Sequence, residues 1–595
     1  MTTYMAPTRD MLFALNELAG FAEIAALPGN EEITPDLVEA ILDEAAKFAT
    51  EVLVPINAQG DRQGCTCKDG VVTTADGFKE AYGKFAESGW NAMPASPDFG
   101  GQGLPALVST PVLEMWKASN MSFSLCQMLT LGAVSAIAQH GSERDKQLYL
   151  PKMVAGEWTG TMNLTESQAG SDLSAVRTKA EPDGDHYLIS GTKIFITWGE
   201  HDMVENIIHL VLARLPDAPE GTRGISLFVV PKFLVNVDGS LGRRNDLICA
   251  SIEHKMGIHG SPTAVMSFGE NGGATGYLVG EPNRGLACMF TMMNHSRLNV
   301  GLEGVGISER AYQQALSFAR ERVQSRPIGV TVGGPVPIIR HPDVRRMLMG
   351  MKARIEAMRA LAYYTAAQID QAHSHPDPVE RQKRQAITDL LTPVVKGWCT
   401  ENSLDITSTG IQVHGGVGFI EETGACQHMR DARITTIYEG TTGIQANDLI
   451  GRKVAREQGA TVKLLLGEMN ATLAALEALG GEDLRVIHAS LQGGTVALEQ
   501  ATEWLLGTYD RAPARAAAGA VPYLKLFGTV AGGWLMARAA LIAAAKPVTN
   551  DADFYRAKTV TARFYAEHVL PEALAFREAI VAGADSVLAL DEALF

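Results

Sequence analysis

Glu439 stands in the short run Ile437-Tyr438-Glu439-Gly440-Thr441, shortly after Met429-Arg430-Asp431-Ala432-Arg433. A carboxylate just before Gly is ordinarily a surface-turn or helix-capping residue. Enclosed by apolar surroundings, the same group becomes a base that can remove a weakly acidic C–H proton. Three other segments carry groups that could serve it. Residues 162–173 read MNLTESQAGSDL, residues 193–199 read KIFITWG, and residues 411–419 read IQVHGGVGF. They supply hydroxyls at Thr165, Ser171 and Thr197, an amide at Gln412, and a Gly415-Gly416 pair that lets a ligand approach the backbone closely. Arg322 and Gln324 in RERVQSR add a charge and an amide. Singly, each has an ordinary reading: strand residue, surface charge or turn.

The elements that must position these groups follow from patterning. Residues 35–159 read as mainly helical, with helices over 36–53 and 122–140. DFGGQGLP at 98–105 has a glycine spacing that suggests a nucleotide loop, but no strand precedes it and Pro105 follows, so it reads as a plain loop. From about 160 to 282 short apolar runs alternate with turns, at His186–Ser190, Ile207–Ala213, Ile225–Pro231, Ala264–Phe268 and Tyr277–Val279, predicting a small β domain. Helical periodicity returns after Gly285: Ile307, Ala311, Ala315 and Phe318 share a face, as do Met347, Met351, Ile355 and Met358. Residues 451–595 are rich in Ala and Leu, broken at Gly480-Gly481, Gly493-Gly494, Pro522 and Pro547, and predict a further helical bundle.

The chain has 595 residues, enough for roughly three or four domains. A hydrophobic content of 46% and a net charge of −16 suit a globular enzyme and argue against a general nucleic-acid binder. The seven scattered cysteines, with Cys65 and Cys67 in a C-x-C, predict reduced thiols, no metal site and a cytoplasmic protein. The first residues show no basic segment followed by an apolar run, which predicts no secretory signal. Residues 526–545 are long enough to span a bilayer, but Ala, Gly and a central Arg538 favour a buried bundle helix over membrane contact.

Taken together and in this order, the four segments resemble the acyl-CoA dehydrogenase family of flavoenzymes, strongly over residues 35–450 and loosely beyond. The length resembles its long forms, and the segments GTMNLTE and GEHD resemble bacterial enzymes acting on fatty acyl-CoA or 3-methylthiopropionyl-CoA. The resemblance implies a mainly α fold with a central β domain. Its parts are an N-terminal extension (1–34), a helical domain (35–159), a β-barrel-like middle domain (160–282), a four-helix bundle carrying Glu439 (283–450) and an extra helical domain (451–595).

It also implies chemistry. Removing two hydrogens from an acyl thioester requires a base for the α-proton, an acceptor for the β-hydride that no side chain provides, and donors for the thioester oxygen. The family resemblance makes Glu439 the base, with its own N–H and a flavin ribityl hydroxyl polarising the carbonyl. FAD is the implied acceptor. Met162, Leu164, Thr165, Phe195 and Thr197 are then placed at the isoalloxazine, and Ser171 at the pyrophosphate or CoA. Arg322, Gln324, Gln412 and Gly416 reach the dinucleotide of a neighbouring subunit, and Thr441 lies at the adenosine half. Asn294, Arg297 and Gly440 are implied on the substrate side. Some members carry the base at the position of Ser296, which cannot serve here. Trp198 stands where Asn is common and Gly443 where Gln often meets adenine. Implied partners are an acyl-CoA, an electron-transferring flavoprotein and a second copy in a homodimer. Oxygen as acceptor, making an acyl-CoA oxidase, and a catalytically silent thioester-binding protein are the alternatives.

Overall fold

The computed structural model describes residues 4–546 and 551–595, so the break read at Pro547 lies outside the described residues. The chain forms two compact units, one of Lys47–Leu104 and Ser119–Asn299, the other of Met1–Ala46, Pro105–Ala118 and Val300–Phe595.

The first unit is built on eight strands: β1 Trp158–Asn163, β2 Lys179–Asp183, β3 His186–Thr197, β4 Asn206–Arg214, β5 Ile225–Pro231, β6 Leu247–Ile252, β7 Thr263–Phe268 and β8 Ala274–Val279. Along the sheet the order is β6-β7-β3-β8-β5-β4-β1, and β2 bridges β3 and β4. Strands β3, β8, β5, β4 and β2 thereby close a ring, the barrel-like domain expected from the sequence. Strands β4 and β5 are buried along nearly their whole length, which is why they read as apolar runs broken only by His209 and Ser226. Strand β3 runs on well past Ser190. It leaves β8 and joins β7 around Gly191, whose φ of 148° and close approach to Thr178, 2.6 Å from where a Cβ would sit, exclude other side chains. A long apolar helix, Met121–His140, is capped by Asn120, whose side chain accepts the Phe123 N–H at 3.1 Å. It packs directly on β1, where a Cβ on Gly160 would come within 2.5 Å of Ala133.

The second unit is helical. Besides short N-terminal helices at Thr8–Phe13 and Phe21–Ala25, its elements include α1 Pro35–Phe48, α2 Ala106–Ser119, the part from Val300 of α3 Gly285–Glu321, α4 Pro342–Ser374, α5 Pro378–His414, α6 Thr442–Asp448, α7 Ala460–Leu479, α8 Glu482–Tyr509, α9 Ala520–Ala545, α10 Ala552–His568 and α11 Glu572–Val587. The helix expected at 36–53 is longer: after α1 the backbone widens into a π-turn over Ala49–Leu53 and continues to Gln63, accommodating Pro55 near the start of the next turn. Helix α2 is tied in by a buried ion cluster, Arg359 bonding Glu114 at 2.6 Å and Glu309 at 2.8 Å. Helix α9 is the apolar segment of the membrane question, and it is buried. Gly528 and Gly532 leave room for the Trp398 ring of α5, which a Cβ at Gly528 would meet at 2.2 Å. Arg538 lies over Trp534. The two ends of the chain meet in this unit. Lys558 of α10 pairs with Asp10 and, at 3.0 Å, with Glu356, while Arg9 reaches Asp551 at 2.5 Å and Lys546 reaches Glu17 at 2.7 Å.

Candidate active site

In the β unit, Met162 lies near the end of β1, with Leu164 and Thr165 just beyond it. The Thr165 carbonyl accepts the Ile194 N–H at 2.9 Å, so the segments holding Thr165 and Phe195 lie side by side. Pairing of β3 with β7 slips between Ala264 and Met266, leaving two residues of β3, Ile194 and Phe195, opposite one. Such a bulge re-aims a side chain. Here Phe195 adopts φ 60°, a conformation that costs a non-glycine residue about 1–2 kcal/mol, and stands 58% exposed. An exposed aromatic ring on a strained bulge gives the core nothing, but gives a flat ligand a surface to lie on. Thr197, at the end of β3, pairs with Thr263 and is half-buried.

A buried ion pair that sequence reasoning overlooked fixes this arrangement. The Lys193 ammonium bonds Glu166 Oε1 at 2.8 Å and the Leu164 carbonyl at 3.0 Å. Glu166 also accepts the N–H groups of Arg177 (2.8 Å) and Thr178 (3.0 Å). Burial raises the Glu166 carboxyl, but Lys193, then Thr178 and the Arg177 amide, outweigh it and hold the group at about 2. Burial lowers Lys193 to about 8 against the pull of Glu166, so both are ionised at neutral pH. The signal was a lysine set among apolar residues in KIFIT.

Trp198 has φ 55°, is fully buried, stacks on Phe78 and donates its indole N–H to the Ser122 carbonyl at 3.1 Å, so it serves the core. Ser171 is exposed in the loop after β1. In α3, Asn294 is exposed, Arg297 is buried with its guanidinium 5.9 Å from the Phe290 ring centroid, and the Ser296 hydroxyl is buried with no hydrogen-bond partner among the described residues.

In the helical unit the predicted residues fall in two places. The ends of α3 and α5 meet where Phe318 and His414 stack at 4.6 Å. Arg322 lies one turn beyond Phe318 and Gln412 two residues before His414, and both are exposed, as are Gln324 and Gly416. A Cβ at Gly416 would touch nothing within 4 Å, so packing in this chain does not explain the glycine.

Glu439, Gly440 and Thr441 form the turn into α6, with Thr441 capping the helix through the Ile444 N–H at 3.3 Å. Glu439 has φ 55° and Gly440 φ 84°, two successive left-handed residues. The Glu439 carbonyl accepts from Gln445 Nε2 at 2.9 Å, and the Gly440 carbonyl from Lys396 Nζ at 2.8 Å. Tyr438, on the other side, donates its hydroxyl to buried Glu303. Glu303, Lys396 and Gln445 were missed in the sequence. For Glu303 the signal was there: it extends the apolar stripe of Ile307, Ala311 and Ala315, and a carboxylate on a core face needs a reason.

Comparison with known proteins agrees with this architecture. The acyl-CoA dehydrogenase N-terminal, middle and C-terminal domain models match residues 35–157, 161–270 and 283–455, and the acetyl-CoA dehydrogenase C-terminal-like model matches 465–591. The chain belongs to the acyl-CoA dehydrogenase family of oxidoreductases. It is 48% identical over 588 residues, 98% of this chain and 99% of the relative, to 3-methylmercaptopropionyl-CoA dehydrogenase of Ruegeria pomeroyi. It is 34% identical, over the full length of both chains, to a broad-specificity linear acyl-CoA dehydrogenase of Mycobacterium tuberculosis. Among solved structures it resembles an acyl-CoA dehydrogenase complexed with FAD from Bacillus anthracis, with a TM-score of 0.73 at 21% identity over 95% of this chain and 92% of that one.

Proposed function

We propose that the protein uses FAD to convert an acyl-CoA thioester to the trans-2-enoyl-CoA, with Glu439 as the base. The observation that carries this reading is how Glu439 is held: its left-handed turn is fastened by buried Lys396, which takes the Gly440 carbonyl, and by Gln445, which takes its own. The fit to FAD rests on exposed Phe195 and on Gly416, whose absent Cβ no protein atom requires. Met162, Leu164, Thr165, Phe195 and Thr197 would hold the ring system. Arg322, Gln324, Gln412, Gly416 and Thr441 would hold the dinucleotide, Arg322 by charge. Bound FAD would supply the acceptor for the β-hydride. Glu439 takes the α-proton, and its N–H donates to the thioester oxygen as charge develops there. Ser171, Asn294, Arg297 and Gly440 are assigned to the substrate side. The 48% identity to the Ruegeria pomeroyi enzyme favours a short thioether thioester, 3-methylthiopropionyl-CoA, with fatty acyl-CoA next, and an electron-transferring flavoprotein is the proposed oxidant.

The test is Glu439→Gln. Volume is kept and the base removed, so FAD and CoA ligands bind while flavin reduction on rapid anaerobic mixing with 3-methylthiopropionyl-CoA falls by about 10²–10⁴-fold. Reduction within tenfold of wild type would show that another group is the base.

A further inference from the structure

We infer that Lys396, Tyr438 and Glu303 are positioning residues for Glu439, two side-chain clamps that hold the base in its left-handed conformation from either side. The inference rests on the assignment of Glu439 as base. A non-glycine residue in this region gives up about 1–2 kcal/mol, which bonds from its neighbours can offset. Glu439 has such bonds on both flanks. Before it, the Tyr438 hydroxyl is bonded to Glu303, which is fully buried in α3. After it, the Gly440 carbonyl is bonded to Lys396, also fully buried, from α5. Gln445 takes the carbonyl of Glu439 itself at 2.9 Å, so the two peptide planes that follow the base are each bonded to a side chain, while Glu303 holds the ring of the residue before it.

These clamps carry charge where a core normally has none. Glu303 is faced by buried Lys117 of α2, by Tyr438 and by Lys396. Burial raises the Glu303 carboxyl well above the usual carboxylate range against the pull of these three groups, and lowers the Lys117 ammonium against the pull of Glu303. An apolar cluster of the same volume would serve stability as well or better. Polar groups here instead have directional bonds to give, and they give them to the residues on either side of Glu439.

The test uses the full-length FAD-loaded enzyme and the variants Lys396→Met and Tyr438→Phe, with Glu439→Gln in parallel. Three quantities are measured: FAD per chain, binding of free CoA by calorimetry, and the rate of flavin reduction by 3-methylthiopropionyl-CoA. We expect full FAD and CoA affinity within about threefold of wild type, with reduction slowed at least tenfold. Glu303→Gln keeps an acceptor for the Tyr438 hydroxyl and should retain more of the rate than Tyr438→Phe, which loses that bond. Reduction within twofold of wild type in both Lys396→Met and Tyr438→Phe, with Glu439→Gln inactive, would overturn the positioning role and leave the base assignment standing. Parallel loss of FAD, CoA binding and rate in both variants would also overturn it, since that marks a general folding role. Full activity in Glu439→Gln would overturn both.

Discussion

Lys193 and Glu166 form an enclosed ion pair at 2.8 Å, and the same ammonium takes the Leu164 carbonyl. One lysine thus fastens the loop after β1 to the strand that carries Phe195.

Lys193→Met is expected to cost about 3–5 kcal/mol, because it strands the Glu166 carboxylate in the core. Denaturant unfolding of the apoprotein measures this. The double variant with Glu166→Gln should recover much of the loss, since no buried charge remains. A single variant as stable as wild type would mean the pair contributes nothing.

Phe195→Gly separates ligand binding from stability. Glycine relieves the left-handed backbone but pays its own entropy, so the apoprotein should change by no more than about 1 kcal/mol. Removing the ring should weaken FAD by about two- to tenfold, given about 0.5–1.5 kcal/mol for an aromatic contact beyond its area. FAD titration of apoprotein decides. Unchanged affinity would remove Phe195 from the flavin site.

The pH dependence of stability should be set by buried histidines. Burial holds His201, His209 and His428 at about 3, against about 6.5 in the unfolded chain. Below pH 6.5 the unfolded state therefore binds protons that the native state refuses. Stability falls as pH falls, by about 1.4 kcal/mol per pH unit for each histidine. Thermal unfolding midpoints should decline steadily from about pH 6.5 to about pH 5, and His209→Gln should flatten the slope. A midpoint that does not move over this range would contradict the neutral buried state.

Oligomeric state and cofactor identity together test the roles proposed for Arg322 and Gly416. Ile328, Val332 and Phe419 are each more than 80% exposed, close in sequence to Arg322 and Gly416. The protein is expected to be a homodimer that releases FAD, not FMN, on acid treatment, and Arg322→Ala should weaken FAD. A fully active, flavin-loaded monomer by light scattering would exclude the shared site.

Much of this was legible because burial leaves simple patterns. Strand β5 was read to its ends, since both its faces are apolar. Strand β3 was cut short at Ser190 because Gly191 looks like a turn, when it marks the change of partner strand. Strand β1 was missed because Thr159, Thr161 and Asn163 suggest a wet face. That face is buried, with Thr159 bonded to His201 at 3.0 Å and Thr161 to His209 at 2.7 Å. Glu439 stood out by its motif, whereas Lys396 and Glu303 come from distant helices, and no local pattern links them to it.

The meeting of the chain's two ends has a consequence for synthesis. The β unit is complete once Asn299 has been made, whereas the helical unit needs Lys558 to pair with Asp10 and Glu356. At about 5–20 residues per second, the N-terminal helices wait roughly 30–110 s for their partners to leave the ribosome. During that interval Met11, Phe13 and Leu15, buried in the finished protein, have no C-terminal bundle to cover them. Phe13, which packs edge-on against Phe554, therefore stays uncovered until the segment that holds Phe554 has been made.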